Sequence, residues 1–324
     1  MNRRVALIGS CLLASYVALQ APATYAAEDY PKRTISIVCA FPPGSGADVL
    51  VRYFADRLAE RAKTSVIVEN KPGATGNIAA TYVVRSKPDG YTIYLHGPQV
   101  IAANLNILKN PPFKPEDFQV VSYILRQAFM VSVPANSPVK TLPELTALLK
   151  QKGDKASYGV TAVHARIVGE LYKQNAGVNP TQVLYRNSAD SVNDMISGSL
   201  DFGVFDPVFA ISQQREGRMR TVAIASGERM STSPDIPTMQ EGGVPEIDMV
   251  SFFAAMVPAA TPRPIVEQLN VWFNQVVAAP ETREFLARNG AEPYLVDADK
   301  GQAMFLQAVK DYKVYIQRAG IPQE

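Results

Sequence analysis

Two α/β units of similar size, with a cleft between them, are implied by three features of this chain. From residue 34 onward the hydrophobic pattern switches repeatedly between strand and helix spacing. The switching comes in two series, separated by segments that break the pattern. Polar or glycine-bearing turns stand where strands hand over to helices, which is where α/β sheets present ligand sites. Short strands followed by helices imply a parallel sheet with helices on its faces. The 324 residues, 47% hydrophobic and 19% charged, carry enough apolar surface for two moderate cores.

The first series opens with "TISIVCAF", a strand in which Cys39 reads as a small buried residue. Val51, Phe54, Ala55 and Leu58 then recur at helical spacing, followed by a strand at "SVIVEN", a helix over 77–86 and a strand at "YTIYLHG". The second series starts at "FMVSVP". In "TLPELTALLKQ", Thr141 and Glu144 stand at capping-box spacing around Pro143, an early helical position. There follow "ASYGV", a helix from about Ala165, "TQVLYR", a helix through Met195, "FGVFD", another helix and "TVAIAS". The Pro- and Gly-rich "SPDIPTMQEGGVPEI" breaks the pattern, "SFFAAMVP" resumes it, and the remainder is mostly helical, with Trp272 on an apolar stripe.

The turns point to binding rather than chemistry. Gly44, Ser45 and Gly46 precede a helix, where orphan amides and the helix dipole favour an anion: a nucleotide phosphate or a substrate carboxylate, if the loop holds anything. "YGVTAVHA", "YRNSAD" and "FDPVF" occupy equivalent places in the second series. No third glycine completes a dinucleotide fingerprint, and no P-loop or nucleophile elbow is present. His96 and His164 are the only histidines, too far apart in sequence to suggest a zinc site or a serine triad. The net charge of +2, from 32 basic and 30 acidic residues without long blocks of one sign, argues against a nucleic-acid partner. The reading therefore carries no cofactor and no metal.

Each candidate side chain has a plain structural role beside a functional one. His164 is a capping or surface histidine, or it touches ligand. Arg166 faces solvent, or it grips a second carboxylate with its planar fork. Asp48 and Asp206 stabilise helix starts, and the same positions let either receive a ligand donor.

The first residues give the compartment. "MNRR" is basic, "VALIGSCLLASYVAL" apolar, and "APATYAAED" ends in small residues, with Thr24 and Ala26 as the cleavage pair of a secretory signal spanning 1–26. A lipoprotein box ending at Cys11 is the minor alternative. After cleavage Cys39 is the one cysteine left, so no internal disulfide is expected.

"YPKRTISIVCAFPPGSGAD", "VIVENKPGATGNIAA", "KPDGYTIYL", "YRNSADSVNDMISGSLDFGVFD", "EGRMRTVAIAS", "SPDIPTMQEGG" and "MVPAATPRPIVEQLN" stand in the order and spacing of one family. Over essentially all of the chain after the signal, the sequence resembles the Bug-type (TctC-like) periplasmic solute receptors of tripartite tricarboxylate transporters. The resemblance implies a two-domain, type II periplasmic-binding-protein (Venus flytrap) fold and a non-enzymatic, monomeric receptor. One domain would comprise 27–126 and 252–324, the other 127–251, with a hinge near 125–130 and 251–256. An organic acid, an aromatic or aliphatic mono- or dicarboxylate, would be held between the domains and delivered to membrane permease subunits. A sensor that passes the same signal to a membrane kinase needs the same ligand-dependent surface, and sequence leaves both open. A secreted enzyme lacks a catalytic constellation to support it.

Carried onto this chain, the family's ligand contacts fall on Phe41, Ser45, Gly46, Ala47 and Asp48 in the first unit. In the second they fall on Thr161, Ala162, Val163, His164, Arg166, Asn187, Phe205 and Asp206. An uncharged nest of amides suits reversible capture of a carboxylate. The chain departs from the family in "GVTAVHARIVGELY", which is two residues shorter, so that either His164 or Arg166 takes the family histidine's place. Ala162 and Val163 make that wall more apolar, Asn187 replaces a small residue, and Phe252 stands where tryptophan is common.

Overall fold

The structure is a computed structural model and describes residues 30–323. The expected signal segment, 1–26, and Cys11 lie outside the described residues. The chain runs through β1 (Ile35–Cys39), α1 (Gly46–Ala62), β2 (Val66–Asn70), α2 (Asn77–Val84), β3 (Thr92–His96) and α3 (Pro98–Ile107). β4 (Phe118–Ala128) then leads, with only Phe129 between, into β5 (Met130–Pro134). A second alternation follows: α4 (Leu142–Lys152), β6 (Ser157–Val160), α5 (Val163–Ala176), β7 (Thr181–Leu184), α6 (Ser188–Ser197), β8 (Phe202–Phe205), α7 (Pro207–Arg215) and β9 (Met219–Ile224). The chain returns along β10 (Val250–Pro258) and closes with α8 (Arg263–Ala278), α9 (Pro280–Arg288), β11 (Ala291–Pro293) and α10 (Ala298–Arg318).

These elements form a two-domain fold around two sheets. The first has the order β11-β4-β10-β3-β1-β2, the second β7-β6-β8-β5-β9. The expected parallel pairing holds where strand-helix-strand units repeat: β1 with β2 and β3, and β6 with β7 and β8. Elsewhere the sheets are mixed, which corrects the expectation of parallel sheets. β10 runs antiparallel to β3 and β4, and β5 antiparallel to β8 and β9. The cause is the passage of the chain between sheets: the two crossing strands lie side by side, with Val250 opposite Ala128 and Ser251 opposite Gln127. β4 is buried along nearly its whole length, so it lacks the alternation that reveals a half-buried strand.

α1 buries Leu50, Val51, Phe54, Ala55 and Leu58 against the first sheet, and full burial of a side chain such as Phe54 contributes about 2–3 kcal/mol. α8 does the same with Ile265, Val266, Leu269 and Phe273, whereas Trp272 is half-buried and stacks on Tyr30 at 5.9 Å. On one flank the two cores merge. Tyr312 and Ile316 of α10, with Ala102 and Ala103 of α3, share a hydrophobic cluster with Leu142 and Leu171 of the second unit.

Candidate functional site

The loop after β1 is built around Asp48. Pro42 and Pro43 restrict the backbone, and Gly44 takes φ +80°, which glycine adopts without Cβ strain. Ser45 caps α1: its Oγ accepts from the Asp48 amide at 3.3 Å and donates to Pro42 O at 2.9 Å. Asp48 is buried and accepts from the Gly44 amide (2.8 Å), Arg52 Nε (2.8 Å) and Asn70 Nδ2 (2.7 Å). Asn70 also donates to Phe41 O at 2.9 Å, which ties β2 to the loop. Burial raises the Asp48 carboxyl's pKa, but hydrogen bonds from Arg52, Asn70 and Gly44 outweigh it and hold the carboxyl below its usual range. Asp48 thus spends its oxygens on the loop. The helical ladder begins with the Val49 amide on Ser45 O at 3.0 Å, so the amides of Gly46 and Ala47 are orphan donors of the α1 terminus.

The second unit supplies three comparable helix starts. α5 begins at Ala162, which offers no side-chain cap, and its ladder starts with the Arg166 amide on Ala162 O at 3.0 Å. Thr161 Oγ1 lies 3.4 Å from Ser188 Oγ, which joins this turn to the start of α6. Asn187 caps α6, accepting from the Asp190 amide at 3.0 Å and donating to Asp190 Oδ2 at 2.7 Å. Asp206 caps α7, its Oδ1 accepting from the Phe209 amide at 3.0 Å. Burial pushes the Asp206 carboxyl up, against the amides of Phe209 and Val208 that favour its charged form.

The two sets of loops meet. A Cβ placed on Gly46 would lie 3.0 Å from Val208 Cβ and 3.1 Å from Asp206 Oδ1, so α1 and α7 begin against one another. Val208 packs in the cluster of Leu50 and Val51, with Phe41 and Ala47 at its edge. Further along α7, Arg215 Nη2 donates to Arg288 O, at the end of α9, at 2.8 Å.

Other expected contacts lie elsewhere. His164 is buried with Nδ1 2.5 Å from Tyr312 Oη and Nε2 3.0 Å from Met249 O. Since a carbonyl can only accept, Nε2 carries the proton and Nδ1 accepts from the tyrosine. Burial lowers its pKa to about 4, although the bond to Met249 pulls the other way, so the ring is neutral near pH 7. His164 therefore joins α5, α10 and the start of β10. Val163 is nearly buried in the same cluster, and Arg166 is half-buried one turn into α5. Phe205 packs into the second unit's core beside Met195 and Phe209.

His96, which sequence reasoning did not place among the site residues, lies beside the first loop. It ends β3, 1% exposed, with its ring 5.0 Å from Phe41 and 5.0 Å from Tyr94. Its neighbour on the next loop is Gly76, where a Cβ would stand 3.0 Å from His96 Nε2. The available signal was its place as the last residue of a strand, on the ligand-facing edge of such a sheet. A cavity of about 530 Å³, lined by Ser231, Thr232, Arg283 and Glu292 among others, includes no residue of these loops. Among the described residues no group of acidic, histidine or cysteine side chains is placed to hold a metal, and no helix is long and apolar enough to cross a membrane.

Comparison with known proteins places this geometry in context. A family described as the tripartite tricarboxylate transporter family receptor matches residues 50–321. Protein BugT of Bordetella pertussis is 27% identical over 324 residues, 99% of this chain and 98% of the relative. Among solved structures, R. palustris Rpa4515 with adipate superposes with a TM-score of 0.85 at 29% identity, covering 91% of this chain and all of that one. The periplasmic binding protein BugD gives a TM-score of 0.83 at 26% identity, over the same shares of each chain.

Proposed function

Because the chain belongs to the tripartite tricarboxylate transporter receptor family, whose members are periplasmic solute-binding receptors and not enzymes, we propose that it captures an organic carboxylate between its two domains and hands it to the permease subunits of such a transporter. The observation that carries this reading is the meeting of Gly46 with Asp206 and Val208. It brings the amide-bearing start of α1 opposite that of α7, each at the carboxyl end of a strand. Uncharged amides backed by helix dipoles attract a carboxylate yet release it, which delivery requires. The adipate of the 29% identical Rpa4515 supports the same ligand class.

On this reading Ser45, Gly46 and Ala47 face Thr161, Ala162 and the first turn of α7 across the ligand. Asp48 and Asn187 shape the loops, and Phe41 forms the apolar wall. Residues 27–126 and 252–324 form one domain and 127–251 the other, with the paired strands at Ala128 and Val250 as the hinge. Residues 1–26 direct export and are removed. The test is a thermal-shift and calorimetric screen of the protein, unfolded and refolded to strip carried ligand, against aliphatic dicarboxylates, citrate, aromatic carboxylates and amino acids. Saturable binding of one carboxylate class supports the receptor reading, and loss of its uptake in a strain lacking the protein supports delivery. Absence of binding across the panel overturns carboxylate capture.

A further inference from the structure

We propose that His96, together with the Ile78 and Ala79 amides in the first turn of α2, forms a second anion subsite in the cleft that takes the distal carboxylate of a dicarboxylate ligand. This rests on the receptor reading above and deepens it, because it commits the ligand to two acidic ends.

The imidazole is the starting point. Among the described residues neither ring nitrogen of His96 has a hydrogen-bond partner, although the side chain is 1% exposed. Leaving a buried polar group unpaired costs about 1–3 kcal/mol. His164, equally buried, spends both of its nitrogens on protein partners. Burial holds the His96 pKa down to about 3, so the ring is neutral, with one N–H to donate and one lone pair to accept.

Its surroundings say what that N–H faces. His96 Nε2 lies 3.0 Å from the position a Gly76 Cβ would fill, and Gly76 is the N-cap of α2. No side chain caps that helix, and its first turn contains no acidic residue. The preceding turn holds Gly73, Ala74, Thr75 and Gly76 all at positive φ, a conformation unfavourable for a β-branched threonine. Asn104 Nδ2 pins the turn by donating to Thr75 O at 2.8 Å and Asn77 Oδ1 at 2.9 Å, and Tyr94 Oη donates to Gly76 O at 3.3 Å. The Thr75 and Gly76 carbonyls are thereby drawn toward Asn104 and Tyr94. The Gly76 amide is spent on Gly73 O and the Asn77 amide on Ala74 O, so the orphan donors at the start of α2 are the next amides, those of Ile78 and Ala79. Neutral donors converging on a helix start suit an anion. Phe41, with its ring against His96, connects this point to the loop that carries Ser45 and Gly46.

The experiment is calorimetry of refolded wild type, His96→Asn and His96→Ala with succinate against butyrate and adipate against hexanoate, pairs that differ by one terminal carboxylate. Wild type is expected to prefer the dicarboxylate in at least one pair by about tenfold or more. Both variants should reduce that preference to about twofold, mainly by losing dicarboxylate affinity. In wild type, ¹⁵N imidazole spectra should show the His96 nitrogens shifting with the preferred diacid and not with its monoacid, a readout that a packing role would leave still. Unchanged selectivity in His96→Asn, or unmoved His96 nitrogens on saturation, overturns this inference alone. A wild type that binds neither member of either pair overturns the dicarboxylate assignment. If it also fails to bind the wider carboxylate panel, the receptor reading falls with it.

Discussion

Gly46 and Asp206 stand at helix starts that follow strands of different sheets, yet the space for a Cβ on residue 46 is only 3.1 Å from Asp206 Oδ1. The contact exists because a glycine opens α1 at the point where α7 begins, so two helix termini approach without a side chain between them.

Gly46→Val should therefore hold the two helix starts apart. Val208 Cβ is part of a packed cluster and cannot retreat freely. Gly46 does not have positive φ, so the substitution adds no backbone strain and helix propensity improves slightly. Carboxylate affinity is expected to fall at least about tenfold while the apo melting temperature stays within a few degrees. Equal affinity by calorimetry would remove the α1–α7 contact from the binding mechanism.

Asp48 is the internal strut of the first loop, and Asp48→Asn leaves Gly44, Arg52 and Asn70 competing for a single acceptor oxygen. A loss of about 2 kcal/mol in urea unfolding at pH 7 is expected. The carboxyl's folded pKa lies below its usual value. Its contribution is then fully present above the unfolded carboxylate pKa and disappears as pH falls through the folded one. Wild type and variant should converge in acid, and a constant gap between them would place the stabilisation outside the charge.

His164 titrates in a different window. Its folded pKa is about 4 against an ordinary 6.5, so on acidification the unfolded chain takes up the proton first. The stability is complete above pH 6.5, declines toward pH 4 and is flat below, a loss of about 3 kcal/mol from this group. His164→Gln keeps hydrogen-bonding capacity toward Tyr312 and does not titrate. Its stability curve should be shallower than the wild type's over that range in urea unfolding, and parallel curves would show that the buried ring is not the group responsible.

How much of this could be read from the chain follows from which faces its residues bury. α1 was legible because one face meets the core and the other does not, as in the row Leu50, Val51, Phe54 and Leu58, whereas β1 and β3, buried on nearly every residue, were legible as short apolar runs bounded by turn residues. β4, α3 and the short β11 gave neither signal: Val120 to Leu125 are buried on both faces of their strand, and β4 runs into β5 with only Phe129 between. The antiparallel return of β10 depends on where the chain crosses between sheets, which local periodicity does not encode. At the site, helix starts after glycine or capping residues announced themselves. The partners of a histidine did not, since whether an imidazole hydrogen-bonds a tyrosine, as His164 does, or finds no hydrogen-bond partner among the described residues, as His96 does, is decided by elements distant in sequence.

Arg126 offers a last test, at the crossing itself. Near the end of β4 its Nε donates to Glu292 Oε2 at 2.7 Å and its Nη1 to Glu228 Oε1 at 3.0 Å, while Glu292 also accepts from the Ser231 amide at 2.5 Å. A residue of the first sheet thus binds the segment that follows β9 of the second. Glu292 is 6% exposed, so Arg126→Ala leaves a buried carboxylate with one amide in place of a guanidinium, a change that costs about 3 kcal/mol. Most of that cost is the stranded charge rather than the value of the pair. Arg126→Met combined with Glu292→Gln should therefore recover more than half of the loss in urea unfolding. Strict additivity of the two single variants would mean that the two side chains act independently and that the bridge does not couple the sheets.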